Sequence, residues 1–117
     1  MNKIGLIEVE KVDDELLQEI IERIVDAINP LKIILFGSWA YGKPHKGSDL
    51  DILVVVDNLT SSRREMRIKI RGLLRNFLIP KDIVVITSQD IEDWKNVPQA
   101  FITSIVKKGK VIYERKD

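Results

Sequence analysis

Residues 33–56 read IILFGSWAYGKPHKGSDLDILVVV, and this stretch predicts how the chain folds. The apolar runs at 33–36 and 52–56 predict two short buried strands, over 31–36 and 49–56. A glycine-serine turn and a polar loop separate the two runs. Two aspartates, Asp49 and Asp51, open the second run. Because successive side chains of a strand point to opposite faces, both aspartates are expected to point the same way.

The Asp49 and Asp51 carboxylates indicate a metal site. Two negative charges side by side repel each other unless a divalent cation or strong hydrogen-bond donors lie between them. Metal-assisted phosphoryl or nucleotidyl transfer needs a carboxylate pair of this kind. The alternative is a pair of solvated carboxylates at a polar strand entry, but the preceding Gly37-Ser38 turn at this spacing favours the metal site.

The Gly37-Ser38 turn is predicted to bind phosphate. Glycine allows a sharp turn at the end of the first strand, and the N–H groups that follow can hold phosphate oxygens at the start of a short helix. The Ser38 hydroxyl adds a further donor. A P-loop is not favoured, because Pro44 stands where that motif needs Ser or Thr to bind Mg²⁺.

A third carboxylate, Asp82, opens the apolar run at 82–87. If that strand lies beside the strand at 49–56, Asp82 faces the same cleft as the aspartate pair. Three carboxylates would then surround a site for one or two Mg²⁺ ions. A third carboxylate in this position could also act as general base on an incoming hydroxyl group.

The composition describes one ordinary globular domain spanning residues 1–117, with 44% hydrophobic and 32% charged residues. The formal net charge of +1 gives no overall attraction to nucleic acid or to a membrane surface. The chain has no cysteine, which excludes disulfides and thiolate metal sites and is consistent with a reducing cytoplasm. No apolar run approaches membrane-spanning length, so we expect a cytoplasmic protein without membrane contact.

The rest of the chain alternates helical patterns with short apolar runs. This alternation predicts an α/β (α+β) fold, with a small mixed β-sheet flanked by helices. The further elements expected are a helix over 13–28 that ends at Asn29-Pro30, a helix over 61–77 capped by Thr60 or Ser61, a helical turn from Ser88 or Asp90, a helix from Pro98 to Val106 stopped by Gly109, and an edge strand at 111–113.

The motif residues resemble the nucleotidyltransferase superfamily that includes DNA polymerase β. The match is to its small stand-alone branch, the minimal nucleotidyltransferases that include the HEPN-associated, MntA-like antitoxins. That family shows a Gly-Ser turn, a short loop, Asp-x-Asp at a strand start and a third Asp on a later strand. The corresponding residues here are Gly37, Ser38, Asp49, Asp51 and Asp82. The resemblance covers roughly residues 13–115.

The resemblance implies a nucleotidyltransferase fold and a Mg²⁺-dependent transfer of a nucleoside monophosphate, AMP from ATP, to a hydroxyl acceptor. It implies that Asp49, Asp51 and Asp82 are both the catalytic residues and the ligands of two Mg²⁺ ions. The residues expected to contact the nucleotide are Gly37, Ser38, Lys43 and Ser48. In the HEPN-associated branch the acceptor is expected to be a protein partner, a HEPN-type toxin that the enzyme neutralises as an antitoxin.

One departure from the family keeps other functions open. Many relatives have a phosphate-binding Arg where this chain has Tyr41, and Lys43, His45 or Lys46 could compensate for it. The alternatives are a non-catalytic module that neutralises a partner by direct contact and a sensor that binds a nucleotide without transferring it. The sequence also leaves open a homo-oligomer and the choice of acceptor.

Several other side chains allow two interpretations. The arginine-rich helix at 61–77 could bind RNA, triphosphate or an acidic partner, but a solvated outer face is favoured. Trp39 is expected either to pack beneath the loop or to stack on the base, and His45 to be an exposed loop residue. For Trp94 and Phe101 a place in the core is favoured over a role as anchors of a partner interface.

Overall fold

A four-stranded mixed sheet organises the computed structural model, which describes residues 5–45 and 47–116. The strand order is β5-β3-β2-β6, with β3 parallel to β5 and β2 antiparallel to both β3 and β6. The elements are β1 Ile7–Glu8, α1 Asp14–Ile28, β2 Lys32–Phe36, α2 Ser38–Tyr41, β3 Leu50–Val56, α3 Arg63–Leu73, β4 Phe77–Leu78, β5 Lys81–Thr87, α4 Ser88–Trp94, α5 Phe101–Lys108 and β6 Lys110–Glu114. The predicted α/β fold with a small mixed sheet is confirmed.

Helices cover both faces of the sheet, which explains why its central strands are apolar at consecutive positions. Ile52 and Val54 of β3 pack with α1 and α3 on the first face. Leu53 and Val55 pack with α4 and α5 on the second face. Alternation along the strand therefore assigns each β3 side chain to one of two cores, and Asp51 falls on the second face with Leu53.

The ends of α1 follow from local chemistry. The Asp13 carboxylate accepts a hydrogen bond from the Leu16 N–H at 2.9 Å and caps the first turn. Asn29 takes the left-handed conformation, with φ of 52°, and its N–H donates to the Val25 carbonyl. Asparagine tolerates this conformation better than most residues, so the predicted end of the helix is confirmed.

The expected helix over 61–77 is shorter than predicted. The helix α3 begins after Ser62, which caps it in place of Thr60 or Ser61, and it ends at Leu73. Phe77 is not helical but lies in β4, which pairs in parallel with the unpredicted strand β1. Tertiary contacts favour this ending, because the Arg23 guanidinium donates to the Leu73 carbonyl at 2.9 Å.

The last two elements differ only at their boundaries. The helix α5 begins at Phe101, not at Pro98, and its preceding residues form a turn in which the Ala100 N–H donates to the Val97 carbonyl. The strand β6 lies at the edge of the sheet, as predicted. In the described part of the chain, no helix combines the length and apolar character needed to cross a bilayer.

Candidate active site

The parallel pairing of β3 with β5 places Asp51 directly opposite Asp82. The two side chains share the second face of the sheet. Asp51 lies two positions before Leu53, and Asp82 lies two positions before Val84, so each points to the same face as that core residue. Asp49 precedes the first residue of β3 and lies two positions before Asp51. The predicted neighbourhood of the two strands is therefore present, and it places all three acidic residues at one end of the sheet.

The three carboxylates interact electrostatically. Burial raises the pKa of Asp51 to about 6, and the negative charges of Asp82 and Asp49 add to this rise. Asp49 and Asp82 are exposed, whereas Asp51 is half-buried. The ionisation of Asp51 is therefore opposed both by its partial burial and by two like charges.

The acidic groups are coupled but do not form a closed metal cage. Among residues 5–45 and 47–116, no three Asp, Glu, His or Cys side chains converge closely enough to hold a metal ion. The donor chemistry nevertheless suits Mg²⁺, which prefers carboxylate oxygens and usually keeps several waters. A bound divalent cation would also offset the burial and the neighbouring negative charges that together raise the pKa of Asp51. The residues present thus fit a hydrated magnesium site rather than an all-protein one.

Gly37 brings the turn after β2 against Asp51. Its φ of 72° and ψ of −156° lie in a region open essentially to glycine alone. A Cβ atom at this position would lie 2.0 Å from the Asp51 Oδ2 atom, so no larger residue fits without moving the carboxylate. Gly37 therefore meets two requirements at once, a backbone requirement and a space requirement.

The short helix α2 starts immediately after Gly37. The N–H groups of Ala40 and Tyr41 donate to the Gly37 carbonyl at 3.0 and 3.2 Å. The N–H groups of Ser38 and Trp39 come before these bonds, at the end of the helix where backbone donors have no partner within the helix. Donors at such an end suit an anion, so the turn can offer phosphate contacts beside the acidic cluster.

The loop between α2 and β3 is held by buried contacts. Ser48 is buried, and its hydroxyl accepts a hydrogen bond from the His45 backbone N–H at 2.9 Å. The Trp39 Nε1–H donates to the Ser48 carbonyl at 3.3 Å, and the Trp39 ring packs against the core of the first face. Trp39 thus packs beneath the loop, the first of its two predicted positions.

Three further residues of α2 and the loop that follows it lie at the surface. Lys43, His45 and Tyr41 are all exposed, as predicted for His45. Lys46 lies outside the described residues. The structure brings Gly37 close to Asp51. Ser48 stabilises the loop through its hydrogen bonds with His45 and Trp39. Nucleotide contacts by Lys43 and Ser48 stay predictions.

The aromatic residues near α5 contradict the sequence-based expectation. Phe101 is 59% exposed and Trp94 is 47% exposed, so neither is a core residue. The Phe101 ring meets the buried Phe36 ring edge-to-face, with centroids 5.9 Å apart and an interplanar angle of 85°. Phe36 is paired with Asp51 between β2 and β3. Its place directly before the Gly37-Ser38 turn was the sequence signal that could have drawn attention to this aromatic pair.

The basic side chains of α3 form an exposed surface on the first face of the sheet. The helix packs its apolar side on that face through Met66 and Ile70. Arg63 donates to both carboxylate oxygens of Asp90, at 2.6 and 3.1 Å. The exposed basic residues on or next to this helix are Arg63, Arg64, Arg67, Lys69, Arg71 and Arg75. This arrangement agrees with the favoured interpretation as a solvated outer face.

Comparison with known proteins supports the relationship that the motifs indicate. The family model described as Polymerase beta, Nucleotidyltransferase matches residues 15–117. A Methanocaldococcus jannaschii protein named "putative protein adenylyltransferase" is 30% identical over 106 residues, which cover 87% of this chain and 69% of that protein.

Two solved structures show the same fold. A "putative nucleotidyltransferase" from Sulfolobus solfataricus superposes with a TM-score of 0.55 and 22% identity, covering 85% of this chain and 78% of its own. A toxin-antitoxin structure with AMP-PNP superposes with a TM-score of 0.56 and 24% identity, covering 86% of this chain and 74% of its own. At these identities the likeness concerns the fold alone.

Proposed function

Because this chain belongs to the polymerase β nucleotidyltransferase family and is a nucleotidyltransferase, we propose that it transfers AMP from ATP to a hydroxyl group of a protein partner in a Mg²⁺-dependent reaction. The observation that carries this proposal is the register of Asp51 opposite Asp82, with Gly37 packed against the Asp51 carboxylate. Acidic ligands and a phosphate-binding turn are thereby adjacent, which is what nucleotidyl transfer requires.

Substrate and partner are inferred from the relatives. The Methanocaldococcus protein is named for protein adenylylation, and one structural neighbour is a toxin-antitoxin with an ATP analogue. These names support ATP as the nucleotide and a toxin as the acceptor, and we propose a HEPN-type toxin that the enzyme neutralises as an antitoxin. We further propose a single nucleotidyltransferase domain over residues 1–117, located in the cytoplasm.

The site residues would divide the work between them. Ser38 and the N–H groups at the start of α2 hold the β- and γ-phosphates of ATP. Asp49 and Asp51 would hold both magnesium ions, and Asp82 would be a further ligand. Bound Mg²⁺ would neutralise the triphosphate and stabilise the pyrophosphate as it leaves. Lys43, which is exposed in the loop, would add positive charge near the phosphates.

The transfer step needs a proton acceptor, and Asp82 is the proposed one. The acceptor hydroxyl loses its proton to the Asp82 carboxylate while its oxygen attacks the α-phosphorus of ATP. One oxygen–phosphorus bond forms to the acceptor, and the bond between the α-phosphorus and the bridging oxygen breaks. Pyrophosphate leaves, so atoms and charges balance without any further reactant.

A second candidate is a binding module that neutralises its partner by contact alone. The observation that favours it is the lack of a converged three-carboxylate group in the described residues. Under this hypothesis, neutralisation needs no ATP and survives the change of Asp49 and Asp51 to Asn. Under the first hypothesis, neutralisation is lost in that double variant while partner binding persists.

The decisive experiment labels the acceptor. Purified protein is incubated with host lysate, Mg²⁺ and ATP labelled at either the α- or the γ-phosphorus. Nucleotidyl transfer predicts a protein band labelled from α-³²P-ATP and not from γ-³²P-ATP, and no band with the Asp49→Asn, Asp51→Asn double variant. The exposed helix residue Asp26 offers a matched control, Asp26→Asn, which should label like the wild type. Label from the γ-position, or undiminished label with the double variant, would refute the mechanism.

A further inference from the structure

Phe101 is a large apolar side chain that is largely exposed, so its position is not explained by packing in the core. It is 59% exposed at the first residue of α5, although exposing an aromatic ring to water is unfavourable. The ring is not loose, because it stands edge-to-face against Phe36 with the centroids 5.9 Å apart. Phe36 is itself only 6% exposed and forms part of the core on the second face. A buried ring therefore supports an exposed one.

The position of this pair relates it to the acidic cluster. Phe36 is the β2 residue paired with Asp51, and both side chains lie on the second face of the sheet. Phe36 also directly precedes Gly37, where the phosphate-binding turn begins. Phe101 thus contacts Phe36, which is paired with Asp51 and directly precedes Gly37, and it lies on the same face of the sheet as the carboxylates.

The helix that presents Phe101 is anchored in the core. Ile105 is 3% exposed, and Ile102 and Val106 pack in the same cluster. The Thr103 hydroxyl donates to the Trp94 carbonyl at 2.6 Å and ties α5 to the end of α4. A ring carried on a helix with these contacts keeps its position, which lowers the entropy cost of binding a flat ligand.

From these observations we propose that Phe101 is a stacking platform for the nucleobase of the bound nucleoside triphosphate. This inference rests on the proposed function and assigns the nucleotide a direction. The triphosphate lies at the start of α2, and the base extends over the acidic end of the sheet to Phe101 on the second face. An exposed aromatic face suits any base, so the platform contributes affinity and not a choice between bases.

Binding experiments without an acceptor test the platform. The probes are the α,β-methylene analogue of ATP, which cannot release pyrophosphate, and inorganic tripolyphosphate, which has no base, each titrated with Mg²⁺ by calorimetry. The Phe101→Ala variant should bind the ATP analogue about tenfold more weakly, the size expected for one lost base stack. Its affinity for tripolyphosphate should not change.

Two further variants separate stacking from simple apolar contact. Phe101→Trp should restore the affinity for the ATP analogue, whereas Phe101→Leu, which keeps apolar bulk without an aromatic face, should not. Ile68→Ala is the matched control, because Ile68 is 53% exposed on α3, which packs on the opposite face of the sheet. That variant should bind both probes like the wild type.

The outcomes distinguish the platform from the enzyme itself. Equal affinity of wild type and Phe101→Ala for the ATP analogue would overturn the platform and leave the proposed function standing. Unchanged nucleotide affinity with a slower transfer to the acceptor would also overturn it, and would assign Phe101 to the acceptor instead. Wild-type protein that binds neither probe would contradict the proposed function and the platform together.

Discussion

Asp51 on β3 lies directly opposite Asp82 on β5, and the two carboxylates share one face of the sheet. Parallel strands hold the pair in register over their whole length, so neither aspartate can move away along its strand. Holding a charged carboxylate at this position is unfavourable: burial and the neighbouring charges of Asp82 and Asp49 raise the pKa of Asp51 to about 6. We therefore expect a bound cation to stabilise this end of the sheet.

Replacing Asp51 should stabilise the metal-free protein. Its carboxyl has a higher pKa in the folded chain, about 6, than the ordinary value of 3.8, so the folded state binds more protons between these values. Stability contributed by this group therefore falls as pH rises through that window. We expect Asp51→Asn to be about 1 kcal/mol more stable at pH 7.5, since water screens part of the repulsion, and no more stable below pH 3.8.

Thermal unfolding in EDTA measures this difference, which should raise the melting temperature by about 4 °C at pH 7.5. Asp26→Asn serves as the control for an exposed aspartate. An Asp51→Asn variant that melts at or below the wild-type temperature would show that burying the Asp51 charge beside Asp82 and Asp49 does not limit stability.

Replacing Asp82 should remove the proton acceptor for the incoming hydroxyl. The expected loss for Asp82→Asn is about 10²- to 10⁴-fold in the single-turnover rate of transfer, the usual contribution of a general base. The protein should still fold, because Asp82 is exposed. Rapid-quench labelling of the acceptor gives the rate, and a value within twofold of the wild type would exclude Asp82 from the chemistry.

Gly37 should tolerate no side chain. Gly47 is the comparison position, because it has a positive φ but no close neighbour among the described residues. Both have positive φ, 72° and 94°, so alanine strains the backbone at either position. At Gly37 the new Cβ would lie 2.0 Å from the Asp51 Oδ2 atom, whereas no atom of the described residues lies within 4 Å of a Cβ at Gly47. We expect Gly47→Ala to lose about 1 kcal/mol and Gly37→Ala about 2–4 kcal/mol.

Urea denaturation of the two alanine variants checks this difference. Because the clash would displace the Asp51 carboxylate, Gly37→Ala should also lose nucleotidyl transfer, whereas Gly47→Ala should retain it. Equal losses of stability in the two variants would mean that the contact with Asp51 adds nothing to the backbone strain.

The contact between Arg63 and Asp90 should make the free energy of unfolding decrease at acidic pH. Hydrogen bonding to Arg63 is the main cause that holds the pKa of Asp90 below its ordinary value of 3.8. The same carboxylate accepts from the Thr87 N–H at 2.8 Å in the capping box of α4. Its stabilisation is present above pH 3.8 and is lost as pH falls through the lower pKa of the folded state.

Asp90→Ala should therefore lose about 1–2 kcal/mol at pH 7 and progressively less below pH 3.8. Guanidinium unfolding followed between pH 7 and pH 2 gives both values. Asp93→Ala, which removes another aspartate of α4, is the control and should cost less at every pH because its partner Gln89 is exposed. A constant deficit across the whole pH range would contradict an ionised Asp90.

Patterns within the chain were sufficient for the main strands. The runs at 33–36, 52–56 and 82–87 are apolar at consecutive positions because helices bury both faces of the sheet. Such runs are visible without knowing which strands pair. The left-handed Asn29 and the capping Asp13 were equally local signals.

Other features depended on contacts that no local pattern contains. Phe77 fits the helical period of α3, but Arg23 from α1 holds the helix end at Leu73, and Phe77 pairs with β1 instead. Phe101 resembles a core residue by type, yet the short α5 leaves its ring exposed beside Phe36. Hydrophobicity predicts burial only when enough neighbouring surface exists to cover the side chain.

In the candidate site, too, some features follow from the local sequence and others from tertiary contacts. Alternation of side chains along one strand predicts that Asp49 and Asp51 share a face, although β3 begins only at Leu50. The Gly37-Ser38 turn is a property of neighbouring residues. That Asp82 lies opposite Asp51, and that Gly37 touches the Asp51 carboxylate, follows only from the pairing of β3 with β5 and with β2. Strand order and register arise from packing between distant segments, which is why local sequence predicts the candidate site residues but not that they come together.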